Sequence, residues 1–374
     1  MVEDQYGELH PQINDNLCVK CGMCEKVCPE LKQNNLHRNG EPEIYACWLK
    51  DSEHRKESTS GGAAFAISSA VIRQGGHVWG AAYGKGMYLT YTEANTLKEL
   101  KAIQKSKYTQ CYVGEAFKTI KDELDNGDLV LFTGTGCHVK GLRSFLRKDY
   151  PNLMTADLVC HGVPGQGVFR KYKEYLESKF NDEMLTYIPR PKRETDGQEG
   201  QYYSLVYFKN KGNVKIERKD NSYFIGFQHN LFLRNACHYC QSNGKERYSD
   251  FTLADFWGLG KIAPFTHPYK ERTLGVSMLA LNSSKALVFL KKLKKDLNYE
   301  QRSYKEASIS NTQYYKSAIP SPYRDEFRNE FFNHSWDELA SKYMRFSMKE
   351  YILYIIKKFT PPICYHMLNN WRNG

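Results

Sequence analysis

The chain has 374 residues, 41% of them hydrophobic, and its 53 Lys and Arg against 42 Asp and Glu give a formal net charge of +11. That length buries ordinary cores without covalent staples, and 11 cysteines are too sparse for a disulfide scaffold, so the thiols read as reduced metal ligands in the cytoplasm. No run approaches 18 consecutive apolar residues and the start Met-Val-Glu-Asp-Gln-Tyr lacks a leader pattern, which excludes an ordinary spanning helix and an address to an oxidising compartment.

Charge is uneven along the chain. Residues 1–46 hold four Lys and Arg against eight Asp and Glu, whereas residues 341–374 hold six against one. An acidic segment ahead of a basic body suits docking of an electron carrier, because opposite patches steer encounter. An ordinary uneven surface is the alternative. The basic balance also raises nucleic acid, since Lys192, Arg193, Lys209, Lys211, Lys215, Arg218 and Lys219 interleave with Tyr202, Tyr203, Tyr207 and Phe208. No nucleic-acid motif accompanies them, so a solvated strand surface and no nucleic-acid partner are expected.

In chain order the first feature is Cys18-Val-Lys-Cys21-Gly-Met-Cys24-Glu-Lys-Val-Cys28-Pro29. Three thiols spaced by two residues and a fourth followed by proline match the spacing that holds cubane iron–sulfur clusters in bacterial ferredoxins. A tight loop aims successive thiolates at one cluster, the glycine lets the backbone approach, and the proline ends the loop. A zinc knuckle, the alternative, pairs two separated Cys-x-x-Cys units and needs neither the third short step nor the Cys-Pro ending. Residues 1–46 are therefore expected to form a 4Fe-4S ferredoxin-type module, with Cys18, Cys21, Cys24 and Cys28 as ligands. Its polar residues 31–46, with Glu41-Pro42-Glu43 near the end, read as a linker into a second domain that starts near Ala46.

Ser58-Thr59-Ser60-Gly61-Gly62 precedes an apolar stretch from Ala63 to Ile72, so hydroxyls and glycines stand where a helix begins, and Gly75-Gly76 closes it. His77 to Tyr83 alternates as a buried strand, residues 96–104 are helical, and residues 117–124 form an amphipathic helix ended by Asn126-Gly127. Residues 129–132 are a buried strand feeding Thr133-Gly134-Thr135-Gly136-Cys137 and a helix over 138–146. Residues 155–159 are a strand entering Cys160-His161-Gly162-Val163-Pro164, 166–180 are helical, and 201–208 with 213–218 read as a hairpin. Cys237-His238-Tyr239-Cys240 follows, then a strand over 250–256 and an amphipathic helix over 283–297. Strand, tight loop and helix recur, so the body is α/β (α+β).

Several of these motifs together resemble one family, the beta subunits of coenzyme F420 hydrogenases and dehydrogenases and their bacterial relatives. The resemblance is carried by Cys18–Pro29, Ser58–Gly62, Gly80-Ala81-Ala82, Ser106–Gln110, Phe132–Cys137, Asp157–Pro164, Cys237–Cys240 and Asp255-Phe256-Trp257-Gly258, and covers roughly residues 1–290. It implies a small ferredoxin-like module followed by a mixed α/β flavin-binding body. Residues 47–125 correspond to the N-terminal domain of that family and 126–290 to the C-terminal one, leaving 291–374 as a helical basic extension. It further implies FAD and electron passage between a two-electron carrier and one-electron clusters.

The chemistry of the residues agrees at several places. A flavin dinucleotide needs its pyrophosphate neutralised, and Ser60, Gly61 and Gly62 offer backbone N–H groups at a helix N-terminus; a plain helix cap is the alternative. Gly134 and Gly136, after a buried strand, are a second phosphate-cradle candidate, but Val139 stands where the dinucleotide fingerprint requires a third glycine, so a Rossmann motif is excluded. Lys107, Tyr108 and Gln110 are candidates for the flavin ring or ribityl chain. Cys137 and Cys160 each follow a strand and should share one carboxyl sheet edge. With Cys237 and Cys240 they make four thiolates, enough for a second 4Fe-4S cluster beside the flavin. Structural zinc and simple burial of Cys137 and Cys160 are the alternatives. Cys47, Cys111 and Cys364 lack such partners. Of His138, His161 and His238, which flank proposed ligands, His161 is the catalytic candidate.

Members of the family usually carry two four-cysteine runs, the fourth cysteine of each serving the other cluster. This chain has one run, so it is expected to be half of a two-cluster module, with Gly7–Ile13 resembling the connecting hairpin and the chain either truncated or its start assigned too late. At the far end, Tyr351–Ile356 followed by Lys357-Lys358 suits a core-docking helix, with a basic membrane-surface anchor as the alternative. The expectation is a cytoplasmic iron–sulfur flavoprotein oxidoreductase with a ferredoxin-type or other redox partner. A flavin-free electron-transfer or scaffold subunit and a zinc-binding nucleic-acid protein are the alternatives.

Overall fold

The computed structural model describes residues 1–31, 40–192 and 203–359, except the side chains of 269–270 and 357–359. The linker residues 32–39, Arg193, Tyr202, Pro361-Pro362 and Cys364 lie outside the described residues. Thirteen strands follow in order: β1 (Val2–Glu3), β2 (Leu9–His10), β3 (Glu43–Leu49), β4 (His77–Tyr83), β5 (Leu89–Ala94), β6 (Val130–Thr135), β7 (Leu153–Leu158), β8 (Met184–Ile188), β9 (Tyr203–Phe208), β10 (Gly212–Glu217), β11 (Phe251–Asp255), β12 (Ser277–Leu281) and β13 (Leu297–Arg302). The chain divides into two units, one holding Met1–Val168, Lys192 and Leu233–Ile319, the other Phe169–Pro191 and the described parts of Gly200–Phe232 and Pro320–Gly374.

The first unit is built on an eight-stranded sheet of order β13-β3-β12-β11-β7-β6-β4-β5. Its centre, β11, β7, β6 and β4, is parallel, and antiparallel strands extend it on both sides. The central strands read as near-continuous apolar runs because helices cover both faces. Ala63–Ile72 and Ser284–Lys292 pack on it around Ile67, Val71, Leu131, Phe251 and Leu279, while Ala116–Asp125 and Gly136–Leu146 close over Phe132, Ile120 and Leu142. A Thr96/Glu99 capping box starts the short helix Leu97–Ile103. Beside the sheet, β1 and β2 form a small ribbon, held by the Gln110 amide, which accepts from Leu9 N at 2.8 Å and donates to Leu9 O at 3.4 Å.

Several expectations shift. The second domain's first strand begins at Glu43, because β3 pairs on both sides inside the sheet, so the polar linker is shorter than 31–46. The helix expected over 283–297 runs over Ser284–Lys292 and passes into a 3-10 turn, Leu293–Lys295, while Leu297 already belongs to β13, so the extension 291–374 contains a strand besides helices. The spans 47–125 and 126–290 both contribute strands to this one sheet.

The second unit contains the expected hairpin, β9 with β10, joined by β8 into a three-stranded antiparallel sheet. Its core is aromatic, with Tyr172 stacked on Tyr223 at 5.1 Å and Trp336 5.2 Å from Tyr172. Asn221 is fully buried and donates to Tyr187 and Ser204 hydroxyls, so the polar groups among the rings are paired. On the basic strands, Lys209 pairs with Glu183 and Lys215 lies over the Tyr203 ring. The helix Met348–Phe359 buries Tyr354, whose hydroxyl meets Glu217, and exposes Tyr351, Ile352 and Ile356. Among the described residues no helix is long and apolar enough to cross a membrane.

Gly61 shows why small residues precede the Ala63–Ile72 helix. A side chain there would strike Cys47 O and Ser277 N, both backbone atoms of paired strands. Gly61→Ala should therefore destabilise the chain by about 1–3 kcal/mol, the usual cost of overpacking, as read by urea unfolding; an unchanged midpoint would contradict this close approach.

Candidate metal centre

The parallel pairing of β6 with β7 sets Thr135 beside Leu158, so both strands end at the same edge. Cys137 lies two residues past the first, in the opening turn of the helix Gly136–Leu146, and Cys160 two residues past the second. Cys237 and Cys240 come from a single helical turn, Asn235–His238, and its exit. That turn is joined to the Cys160 loop by an isolated bridge between Pro164 and Leu233, by Arg234 N to Val163 O at 2.9 Å, and by Val163 N to Cys237 Sγ at 3.4 Å.

Each of the four sulfurs meets a hydrogen-bonding group. Gly162 N donates to Cys160 Sγ and Ser242 N to Cys240 Sγ, both at 3.4 Å, and Thr135 Oγ1 lies 3.2 Å from Cys137 Sγ. Gly162 holds a φ of +117°, a conformation that side-chain-bearing residues rarely adopt, and a Cβ there would press on Leu233 Cδ1 at 2.8 Å. Burial raises the thiols of Cys137 and Cys160, and neighbouring sulfurs add to the effect; burial takes Cys237 up to about 12. The sulfurs are thus close enough to disfavour each other's charge. They are nonetheless loosely spaced: among the described residues, metal-binding groups with all ligand atoms within 4.8 Å of one another are Asp4/Glu8/His10 and His77/Glu93/Glu123, not these thiols.

The N-terminal run forms a loop and a short helix, Met23–Val27, entered through Gly22 in the left-handed region. Cys18, Cys21 and Cys24 are exposed and Cys28 is half-buried. The loop is pinned to the body close to the other thiols. Lys140 Nζ, three residues after Cys137, donates to Pro29 O at 2.6 Å, and Gln241 Nε2, next to Cys240, donates to Glu30 O at 3.2 Å.

The flavin candidates reach the same sheet edge at other strands. Ser60–Gly62 lie where β3 and β12 meet, Ser60 Oγ donating to Val276 O at 3.1 Å. Among the described residues, no acceptor faces the N–H groups of Ser60, Gly61 and Gly62, although both glycines are buried. Lys107 follows the helix whose Ile103 packs at Gly80, and its ammonium caps Ala102 O and Gln104 O. Burial lowers its pKa to about 7. Tyr108 is half-buried, whereas the Gln110 side chain is committed to the β2 backbone. Gly134 lies against the Tyr91 hydroxyl, and a Cβ at Gly136 would sit 3.0 Å from Ser242 Cβ.

His161 is half-buried in the loop between Cys160 and Gly162. His138 meets the Tyr91 hydroxyl at 2.8 Å and burial lowers it to about 4, while His238 Nδ1 donates to Ala318 O. Cys47 and Cys111 are buried core residues whose thiols burial pushes up. Sequence spacing did not single out Thr135, Lys140 or Arg234. Lys140 was within reach, since a residue three after Cys137 shares its helix face.

Comparison with known proteins follows the same division. Residues 10–33 match the 4Fe-4S binding domain, and residues 127–307 match the family described as the C terminus of the coenzyme F420 hydrogenase/dehydrogenase beta subunit. The two matches together support an iron–sulfur protein of the electron-transfer oxidoreductases. The second match falls where the motifs around Phe132–Cys137, Asp157–Pro164 and Cys237–Cys240 carry the resemblance. Among solved structures, it is similar to a chain of the F420-reducing NiFe hydrogenase complex from Methanosarcina barkeri, with 14% identity and a TM-score of 0.46 over 83% of this chain and 90% of that one. No curated protein matches.

A lysine held near pH 7 leaves a mark on stability. The unfolded side chain titrates near 10.4 and the folded one lower, so the unfolded state binds more protons between those values and stability rises with pH there. Urea melts of wild type and Lys107→Met at pH 6, 8 and 10 should show the wild type gaining on the variant from about pH 7 upward; parallel curves would mean the ammonium titrates normally.

Proposed function

We propose that the chain moves electrons through a 4Fe-4S cluster held by Cys137, Cys160, Cys237 and Cys240, linked to a second cluster centre at Cys18, Cys21, Cys24 and Cys28. The observation that carries this is the gathering of four thiols from three separate loops, each sulfur meeting a hydrogen-bonding group. Such bonds are among the factors that set the potential of iron–sulfur centres. A reducing compartment such as the cytoplasm keeps these thiols available.

FAD is the second part of the proposal. The N–H groups of Ser60, Gly61 and Gly62 fit an anion, since they open a helix and have no acceptor of their own. Along the sheet Cys137 and Cys160 follow β6 and β7, between the β3–β12 junction and β4. Ser60–Gly62 would hold the pyrophosphate of FAD, and Lys107, Tyr108, Gly134 and Gly136 are assigned to the rest of the cofactor. When bound, FAD supplies hydride exchange with a two-electron carrier, F420-like or other, and release of electrons singly. His161 is assigned to hold or release the accompanying proton. Lys107, with its pKa lowered to about 7, is poised to change charge near the flavin. Electrons would leave or enter through the exposed N-terminal loop to a ferredoxin-type or other redox partner.

Anaerobic purification with iron, sulfide, zinc and flavin analysis tests both parts. Iron with matching sulfide and stoichiometric FAD are expected, and Cys237→Ser should lose the body cluster's share of iron. A colourless, zinc-loaded, flavin-free protein would overturn the proposal; iron and sulfide without flavin would leave an electron-transfer subunit in its place.

A further inference from the structure

Lys140 is 3% exposed and stands on the buried side of the helix Gly136–Leu146. Its ammonium donates to Pro29 O at 2.6 Å and lies 5.6 Å from the centre of the Tyr248 ring. Among the described residues it forms no ion pair with a carboxylate. Burying a cation without an opposite charge is costly, and a carbonyl and a ring face soften that cost without neutralising it. A negative charge is therefore expected nearby. The nearest candidates are two thiol sets: Cys137 lies one turn earlier on the same helix face, and Pro29 directly follows Cys28.

A second cation, half-buried, lies near the same thiols. Arg234, three residues before Cys237, forms no carboxylate ion pair among the described residues, and its Nε is buried without a hydrogen-bond partner. Four thiolates around a 4Fe-4S core leave a net negative charge, and net charge is one of the determinants of cluster potential. Gln241 supplies a second pin, holding Glu30 O from beside Cys240. The segment Cys28–Glu30 is thus fixed from two sides of the body thiol set.

We propose that Lys140 is a positioning residue at the junction of the two centres: it fixes the Cys28–Pro29 corner against the body cluster and supplies the charge that raises the clusters' potentials. The proposal rests on the cluster assignment above. The step it serves is transfer of one electron, one cluster being oxidised as the other is reduced, with no bond made or broken.

The test uses the full chain, reconstituted anaerobically with iron and sulfide, and reads iron content, midpoint potentials and electron-spin coupling between clusters. Lys140→Met should keep wild-type iron, shift a cluster potential negative by at least a tenfold change in the reduction equilibrium, about 59 mV for one electron, and weaken the coupling. Lys140→Arg should retain the potential. Gln241→Ala, which releases one pin and leaves the cation, should weaken the coupling without that shift, and it serves also if Lys140→Met does not fold. Lys140→Met with full iron and unchanged potential and coupling would overturn the proposal, as would unchanged coupling in Gln241→Ala. A wild type that takes up no iron and sulfide would instead overturn the cluster assignment.

Discussion

The side-by-side ending of β6 and β7 is the constraint on which the rest of the site depends. Parallel strands in register at Thr135 and Leu158 must release their chains at one edge, and the residues that follow have nowhere else to go. Cys137 then starts a helix while Cys160 enters an irregular loop, so the two thiols approach the same space from different directions. The antiparallel entry of β12 beside β11 brings Ser277, and with it the Ser60–Gly62 turn, to that same edge. Thiols, helix N-terminus and Lys107 are therefore neighbours because of strand direction alone. No local sequence signal would have to specify their meeting.

That division explains what the sequence revealed. The helix Ala63–Ile72 and the strand His77–Tyr83 were legible to the residue because glycines and hydroxyls bound them, and the cysteine spacings carried their chemistry openly. Pairing partners were not legible. β3 sits between β13 and β12, strands more than 200 residues away in sequence, so its first residues, Glu43 and Ile44, looked like linker until the partners were seen. β13 was hidden for a related reason: Leu297–Arg302 is polar at alternate positions, as an edge strand should be, and follows a helix whose amphipathic pattern runs on into it. Gly61 shows a subtler limit. Its sequence context suggested room for a phosphate, whereas its missing side chain is required by the backbones of Cys47 and Ser277, and the ligand signal lies in its N–H group.

The exposed N-terminal loop and the half-buried body thiols present different electrostatic problems. Cys18, Cys21 and Cys24 are open to water, which screens a cluster's charge. Around Cys137, Cys160 and Cys237 desolvation disfavours the thiolates; donors meet the sulfurs, and Lys140 and Arg234 stand nearby without a carboxylate ion pair among the described residues. Compensation by backbone N–H groups is fixed by the fold, because Gly162 and Ser242 point their amides wherever the loops turn. Compensation by Lys140 and Arg234 is fixed by side chains, and so can be altered one residue at a time. The two proposed centres, in different solvation and joined at a corner held by Lys140 and Gln241, would differ in potential by environment even with identical ligands. A difference of that kind would give the proposed electron path a direction, set by where the sheet edge ends and water begins.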